Sequence, residues 1–149
     1  MGLKERLKSD LTEAIRARNE VRAGTIRMVL TSITNEEVSG KEARVLTDAE
    51  IITVLSREAK KRREAAEAYD SAGSKERRDR ERAEGLVIAE YLPSQLSESE
   101  LQEMIKAAIV ETGASGPSGM GQVMKVLSPK IAGRADGSKV SAAVKAALS

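Results

Sequence analysis

Apolar side chains recur at helical spacing through the first part of the chain. Two series stand out: Leu3, Leu7, Leu11 and Ile15, then Val21, Met28, Val29 and Ile33. Residues three or four positions apart lie on one face of an α-helix. The pattern therefore predicts two amphipathic helices, separated near the sequence RNE, whose apolar faces contribute to a core.

Two more helices are predicted between residues 47 and 91. Thr47 followed three positions later by Glu50 is a capping-box pattern, which is typical of a helix start, and the apolar side chains after it predict a helix to about Tyr69. The sequence DSAGS is typical of a turn. A charged helix is then expected over residues 75–91. The apolar end of that helix comprises Leu86, Val87, Ala89 and Tyr91.

Pro93 marks a predicted domain boundary. Proline cannot continue a helix, and it biases Leu92 away from the helical conformation. We therefore predict an N-terminal helical domain with long helices over residues 1–92, a linker over 93–96 and a small C-terminal domain over 97–149. The predicted fold class is all-α.

The C-terminal domain is predicted to contain three helices. Ser97 and Glu100 form a second capping box before the first of them. Ser118 is expected to cap a short second helix that Pro129 ends or kinks, and Ser138 is expected to cap the third. The three apolar faces comprise Leu101, Met104, Ile105, Ala108 and Ile109, then Met120, Val123, Met124 and Leu127, and finally Val140, Val144 and Leu148.

The composition excludes several kinds of site. The 149 residues include no Cys and no His, which removes disulfides, thiolate nucleophiles, the commonest general base and the commonest transition-metal ligand. No run approaches the roughly 20 apolar residues that span a bilayer, and the charged N-terminus does not resemble a signal peptide. These observations predict a cytoplasmic protein with no membrane partner, no catalytic residue, no metal and no cofactor.

Three local patterns for chemistry are weak. The one Gly-Lys pair lacks the earlier glycine of a phosphate-binding Walker loop. Ser128 beside Lys130 is the nearest imitation of an activated nucleophile, but Pro129 separates them and no third group orients them. Glu36 and Glu37 could act as paired carboxylates, but adjacent residues on a helix do not face each other. A solvated surface is the favoured interpretation of that pair.

A basic cluster lies in the third predicted helix. Five bases occur within seven residues around Glu58: Arg57, Lys60, Lys61, Arg62 and Arg63. One interpretation is a phosphate-binding ridge. The favoured interpretation is that the charges are neutralised at helical spacing, with Glu58 reaching Arg62 and Arg63 reaching Glu67, because a helical hairpin with few large apolar residues needs such pairs.

The sequence resembles a known family over nearly its whole length. The stretch MGQVMKVLSPKIAGRADGSKVSAAVKAAL, with YLPSQLSESEL before it, is similar to the C-terminal part of the GatB/YqeY family. The sequences LKERLKSDLTEAIRARNEVRAGTIRMVLTSITNEE and VLSREAKKRREAAEAY extend this resemblance, so the chain looks like a free-standing YqeY-type protein. The resemblance implies two helical domains.

The resemblance also implies a role in tRNA metabolism. Relatives of the tail terminate the B subunit of the amidotransferase that converts misacylated Glu-tRNA or Asp-tRNA into the amide form, a carbon–nitrogen ligase with glutamine as amido donor, and there the tail contacts tRNA. The domains that catalyse that reaction lie outside the resemblance. We therefore expect a non-catalytic accessory module that binds tRNA or another structured RNA. The alternatives are an interaction adaptor for a synthetase or amidotransferase, and a component of the amidotransferase activity by family association.

The basic residues of the tail are the expected RNA site. Residues 113–149 contain five bases and one acid, Asp136, which we expect to form an Asx turn or a helix cap. The GRADGS turn ends one helix and starts another, so free amides of Gly137 and Ser138 are expected at a positive helix terminus. The five bases surround this turn and could share one face: Lys125, Lys130, Arg134, Lys139 and Lys145. Because the tail has no aromatic residue, the expected contacts are with phosphates and RNA shape.

Overall fold

The computed structural model describes residues 2–149 and confirms the all-α fold class. Within these residues there are seven α-helices and no strand. Their bounds are α1 Leu3–Arg16, α2 Glu20–Glu37, α3 Asp48–Ser71, α4 Lys75–Ala89, α5 Glu98–Thr112, α6 Met120–Ile131 and α7 Gly137–Ala147. A short 3₁₀ turn, Pro117–Gly119, precedes α6. In the part of the chain described, no helix has both the length and the apolar character needed to cross a membrane.

The chain divides into two compact units. Unit 1 extends to Leu92 and contains α1–α4, and unit 2 comprises Pro93–Ser149 and contains α5–α7. In unit 1, α1 packs on α2 and α3 packs on α4, so two helical hairpins build the unit. Its core comprises Leu7, Ile26, Val29, Ile33, Leu46, Ile51, Val54, Leu55, Ala59, Ile88 and Tyr91.

The apolar face of α1 differs from the predicted one at its end. Leu7 is fully buried and Leu11 packs against the core, but Ile15 is 49% exposed and Ala14 is buried instead. At about 100° per residue, successive steps of four residues rotate by about 40°, so Ile15 lies about 80° from Leu7 around the axis. Ala14 is seven residues from Leu7, which is close to two full turns, so the two side chains lie within about 20° of each other around the helix axis.

Three further core predictions in unit 1 are wrong. Val21 at the start of α2 is 43% exposed, and Leu86 and Ala89 on α4 are both exposed. Ile88, which the sequence pattern did not single out, supplies the buried side chain of α4, and Leu46 from the loop before α3 is also buried. The capping box at Thr47 is confirmed, since its hydroxyl accepts from the Glu50 amide at 3.2 Å.

Unit 2 has an aliphatic core of its own. The buried side chains are Ile105, Ala108, Val123, Leu127, Ile131, Val140, Val144 and Leu148. The predicted capping box at the start of α5 is confirmed, because Ser97 Oγ accepts from the Glu100 amide at 3.1 Å. Gly119, the residue before α6, lies at a close approach, where an added Cβ would be 2.6 Å from the Cβ of Ala114.

Two predictions for helix caps in unit 2 are wrong, and of the two alternatives for Pro129 the helix end is not observed. Ser118 lies in the 3₁₀ turn, and α6 starts after Gly119 without a side-chain cap. Pro129 does not end α6, which continues to Ile131. The buried Ile131 lies four residues after Leu127 on the same helix face, and its burial offsets the hydrogen bond that proline removes. Asp136, rather than Ser138, caps α7.

Candidate functional site

Of the residues predicted to bind RNA, Arg134 lies in the turn between α6 and α7, and the others lie on these two helices. Gly133 adopts a φ of +73°, a left-handed conformation that glycine takes without a steric penalty. Asp136 then accepts from the Ser138 amide at 2.9 Å, which confirms its predicted role as an Asx-type cap. The Ser138 amide is therefore used within the cap and is not free for a ligand. Gly137 lies exposed at the start of α7.

The segment before α5 supports this turn. Gln95 donates its side-chain amide to the carbonyl oxygens of Pro93 at 2.9 Å and Gly133 at 2.8 Å. The Leu96 amide donates to the Arg134 carbonyl at 2.9 Å, and Arg134 Nε donates to the Ser94 carbonyl at 2.9 Å. Residues 93–96, predicted as a linker, thus make hydrogen bonds to the turn of unit 2.

Arg134 contributes to the structure of unit 2 as well as to its charge. The side chain is half-buried, and Nε is engaged by the Ser94 carbonyl. The pKa of Glu100 is lowered mainly by the backbone amide of Ser97, with Arg134 adding a favourable charge. Of the five tail bases, Arg134 is therefore the one whose replacement would disturb the fold.

The four tail lysines are exposed and differ in their partners. Lys130 Nζ lies 3.6 Å from a carboxylate oxygen of Glu111. Lys125, Lys139 and Lys145 make no ion pair within residues 2–149. At about 100° per residue, Lys125 and Lys130 diverge by about 140° around α6, and Lys139 and Lys145 by about 120° around α7. Neither helix presents both of its lysines on one face.

Ser128 and Lys130 do not form a nucleophile with its base. The Ser128 hydroxyl donates to the Met124 carbonyl at 2.7 Å, and Lys130 lies beside Glu111. An activated serine requires a hydrogen bond to the group that takes its proton. The two side chains instead have separate partners.

The basic cluster of α3 contains a buried ion pair. Glu58 is 6% exposed and accepts from Arg62 Nη1 at 3.0 Å, from Ser32 Oγ at 3.1 Å and from Lys61 Nζ at 3.4 Å. Arg62 Nε also lies 3.5 Å from Glu84 on α4. The predicted pairing of Glu58 with Arg62 is confirmed, and it links three helices of unit 1.

Glu36 and Glu37 also take different partners, as predicted from their adjacent positions. Glu36 accepts from Arg57 at 3.3 Å, whereas Glu37 accepts from Lys4 Nζ at 2.7 Å and from the Leu46 amide at 3.2 Å. These two donors, Lys4 first, hold the pKa of Glu37 below its ordinary value. The prediction of a solvated surface is wrong for Glu37, which is buried. Its carboxylate connects α1, through Lys4, with the loop before α3, through the Leu46 amide.

A polar network around Tyr91 completes unit 1. The Tyr91 hydroxyl donates a hydrogen bond to Asp10 at 2.5 Å. Arg22 donates both to this hydroxyl, at 3.3 Å, and to Glu90, at 2.5 Å. The Arg6 guanidinium lies 4.8 Å from the centroid of the Tyr91 ring. Burial first, and then the bond to Asp10, raises the pKa of Tyr91. A neutral phenol is a hydrogen-bond donor here and not a nucleophile. The linear pattern gives no sign of this network beyond the rarity of aromatic residues.

Comparison with known proteins supports the resemblance seen in the sequence. A curated relative, "Altered inheritance of mitochondria protein 41, mitochondrial" of Pyrenophora tritici-repentis, is 29% identical over 133 residues, which cover 87% of this chain and 71% of that protein. The family described as Yqey-like protein matches residues 4–148, a range that includes all seven helices except the first residue of α1. The chain therefore belongs to the YqeY-like family.

Proposed function

We propose that this protein is a non-catalytic accessory module that binds tRNA or another structured RNA through the basic residues of unit 2. The observation that carries the proposal is the set of exposed lysines without ion pairs within the described residues: Lys125, Lys139 and Lys145. Lysines without acidic partners retain the positive potential that attracts phosphates. In unit 1, by contrast, many bases are paired with acids.

The arrangement of the lysines favours a folded RNA over a single strand. Two lysines on each of two helices point in diverging directions, so they suit phosphates on more than one segment of a folded backbone. Unit 2 contains no Tyr, Phe or Trp on which an unpaired base could stack. Recognition would therefore rest on phosphate positions and shape.

The proposal assigns this chain no catalytic step. The family association with a glutamine-dependent carbon–nitrogen ligase concerns other domains of that enzyme. The cytoplasmic location stays a prediction, since the name of the curated relative describes that protein as mitochondrial.

The proposal is tested by fluorescence anisotropy of labelled total tRNA with the purified chain across a salt series. The triple variant Lys125→Glu, Lys139→Glu and Lys145→Glu removes the unpaired charges and leaves Arg134 and the Asp136 cap intact. We expect the affinity of the wild type for tRNA to fall as the salt concentration rises. The variant should bind tRNA at least about tenfold more weakly than the wild type.

A matched control separates a site from net charge alone. Lys8, Lys41 and Lys75 are exposed lysines of unit 1, and changing all three to Glu alters the net charge by the same amount. The control variant is expected to keep most of the wild-type affinity. Equal losses in the two variants, or no wild-type binding at low salt, would contradict the proposal.

A further inference from the structure

A cavity of about 490 Å³ lies at the corner between α1 and α2, in unit 1. Ala14 and Ala23, both buried, line its inner part, and Ile15 forms one side. Arg18 and Arg27 line its outer part. The cavity is distant in sequence from the tail lysines and has no role in the proposed RNA site.

The two arginines of this cavity are exposed and unpaired. Neither guanidinium makes a hydrogen bond or an ion pair within residues 2–149. Arg22, between them in sequence, instead bridges Glu90 and the Tyr91 hydroxyl. Glu20 is the one acid of the lining, so the cavity has an excess of positive charge. An anionic group is the complementary ligand.

Arg18 reaches this position through an uncommon backbone conformation. Its φ is +56°, and it is the one residue other than glycine with a positive φ among those described. The Arg18 amide donates to the Ile15 carbonyl at 3.1 Å and the Asn19 amide to the Ala14 carbonyl at 2.9 Å, which is the usual glycine-type ending of a helix. The backbone requires a left-handed residue here, but it does not require a guanidinium.

Apolar side chains are exposed at the same corner. Ile15 lines the cavity and Val21 is the second residue of α2, and both are large apolar side chains left exposed, at 49% and 43%. A phosphodiester backbone would match the two arginines but would leave these aliphatic groups in water. A protein segment with carboxylates beside an aliphatic side chain would match both.

We propose that the α1–α2 corner is a docking site for an acidic segment of a protein partner, in which Asp or Glu side chains pair with Arg18 and Arg27 and an aliphatic side chain enters the cavity beside Ile15. Arginine suits this role because its planar fork binds a carboxylate through two parallel hydrogen bonds. The site is independent of RNA binding by unit 2.

The test is selection of short random peptides displayed on phage against the full-length chain. The probe for all later measurements is the most enriched peptide, synthesised with a fluorescent label. We expect enriched sequences to combine Asp or Glu with Leu, Ile or Val, and amide NMR shifts on binding to concentrate in residues 14–27. The double variant Arg18→Glu with Arg27→Glu should bind the peptide at least about tenfold more weakly.

Two further variants exclude trivial explanations. Lys41→Glu with Lys75→Glu makes the same change in net charge elsewhere in unit 1 and is expected to bind as the wild type does. Arg18→Gly removes the guanidinium but suits the left-handed backbone, so it should raise the melting temperature by about 4 °C while it weakens peptide binding. A loss of binding with a gain of stability cannot come from unfolding.

Several results would overturn the proposal. The first two are a selection that enriches no peptide and a selection that enriches peptides without Asp or Glu. The others are amide NMR shifts outside residues 14–27 and peptide binding by the Arg18→Glu, Arg27→Glu variant that equals that of the wild type. Displacement of the peptide by inorganic phosphate alone would assign the site to a simple anion, and displacement by tRNA would assign it to RNA. If the triple lysine variant of unit 2 loses tRNA binding but still binds the peptide, the result supports a peptide site separate from the RNA site.

Discussion

Units 1 and 2 stabilise their helices in different ways. In unit 1, buried Glu37 and Glu58 connect separate elements through ion pairs, and the Tyr91 hydroxyl joins the segment after α4 to α1 and α2. In unit 2, the core is aliphatic, and no charged side chain is buried among its residues. Lys130 with Glu111 is the ion pair described there. The two units therefore use charge for different purposes.

The difference follows from the composition of the helices. α3 and α4 are rich in charged residues and have few large apolar ones, so part of the packing between them and α2 consists of paired charges. The shorter helices of unit 2 place Ile, Val and Leu at regular core spacing and need no such pairs. Their lysines are consequently not required for the fold, and this makes them available to a ligand.

The largest expected effect comes from the aliphatic core of unit 2. Leu127 is fully buried, and Leu127→Ala should reduce the free energy of unfolding by about 3 kcal/mol through lost burial and a cavity. Amide hydrogen exchange should then lose protection mainly in residues 93–149. Leu55→Ala, a matched change at a fully buried leucine of unit 1, should lose protection mainly in residues 2–92. The same pattern from both variants would contradict two separate cores.

A smaller effect is expected from the buried ion pair of unit 1. Glu58→Gln retains the side-chain shape but removes the charge that faces Arg62, so it should cost about 2 kcal/mol in urea unfolding. Glu64→Gln, an exposed acid on the same helix, serves as the control and should change stability little. An equal effect of the two changes would show that burial of Glu58 contributes nothing.

The smallest effect is a difference in acid sensitivity. The pKa of Glu37 and Glu50 lies below the ordinary value of 4.5, and that of Asp70 below 3.8, because Lys4, Arg44 and Arg78 donate hydrogen bonds to them. A depressed pKa in the folded state adds stability above the unfolded value, and this stability is lost as the pH falls through the folded pKa.

Unit 1 contains these three carboxylates, whereas Glu100 is the corresponding group in unit 2. As the pH falls below about 4.5, hydrogen-exchange protection factors, which correct for the slower chemical exchange of amides in acid, should fall more in unit 1 than in unit 2. Glu37→Gln should reduce this acid sensitivity of unit 1. Greater acid sensitivity in unit 2 would reverse the comparison between the units.

Much of the fold could be predicted from local patterns. The capping boxes at Thr47 and Ser97 and the cap at Asp136 were predictable because the bonding groups lie within three residues of each other. The exposure of Ile15 was not predicted, and the sequence left open whether α6 ends at Pro129 or continues past it with a kink. The first depends on small rotations that accumulate along a helix, and the second on burial of Ile131 by other helices.

The candidate sites were predictable only in part. The five tail bases could be named from the sequence, but the support of Arg134 by the Ser94 carbonyl depends on residues 40 positions apart. The cavity at Arg18 was not predicted, because it requires a left-handed residue and two helices that meet at a corner. Neither property is visible in residue spacing.

The sequence by itself determined the helical class, the family, most helix starts and the absence of His and Cys, since these depend on residue identity and on contacts between neighbours in the chain. Only the tertiary structure decided which charges are buried, as at Glu58 and Glu37, and which stay unpaired, as at Arg18 and Lys139. The physical reason is that an ion pair between helices depends on distances in space, which the spacing of residues along one helix does not fix.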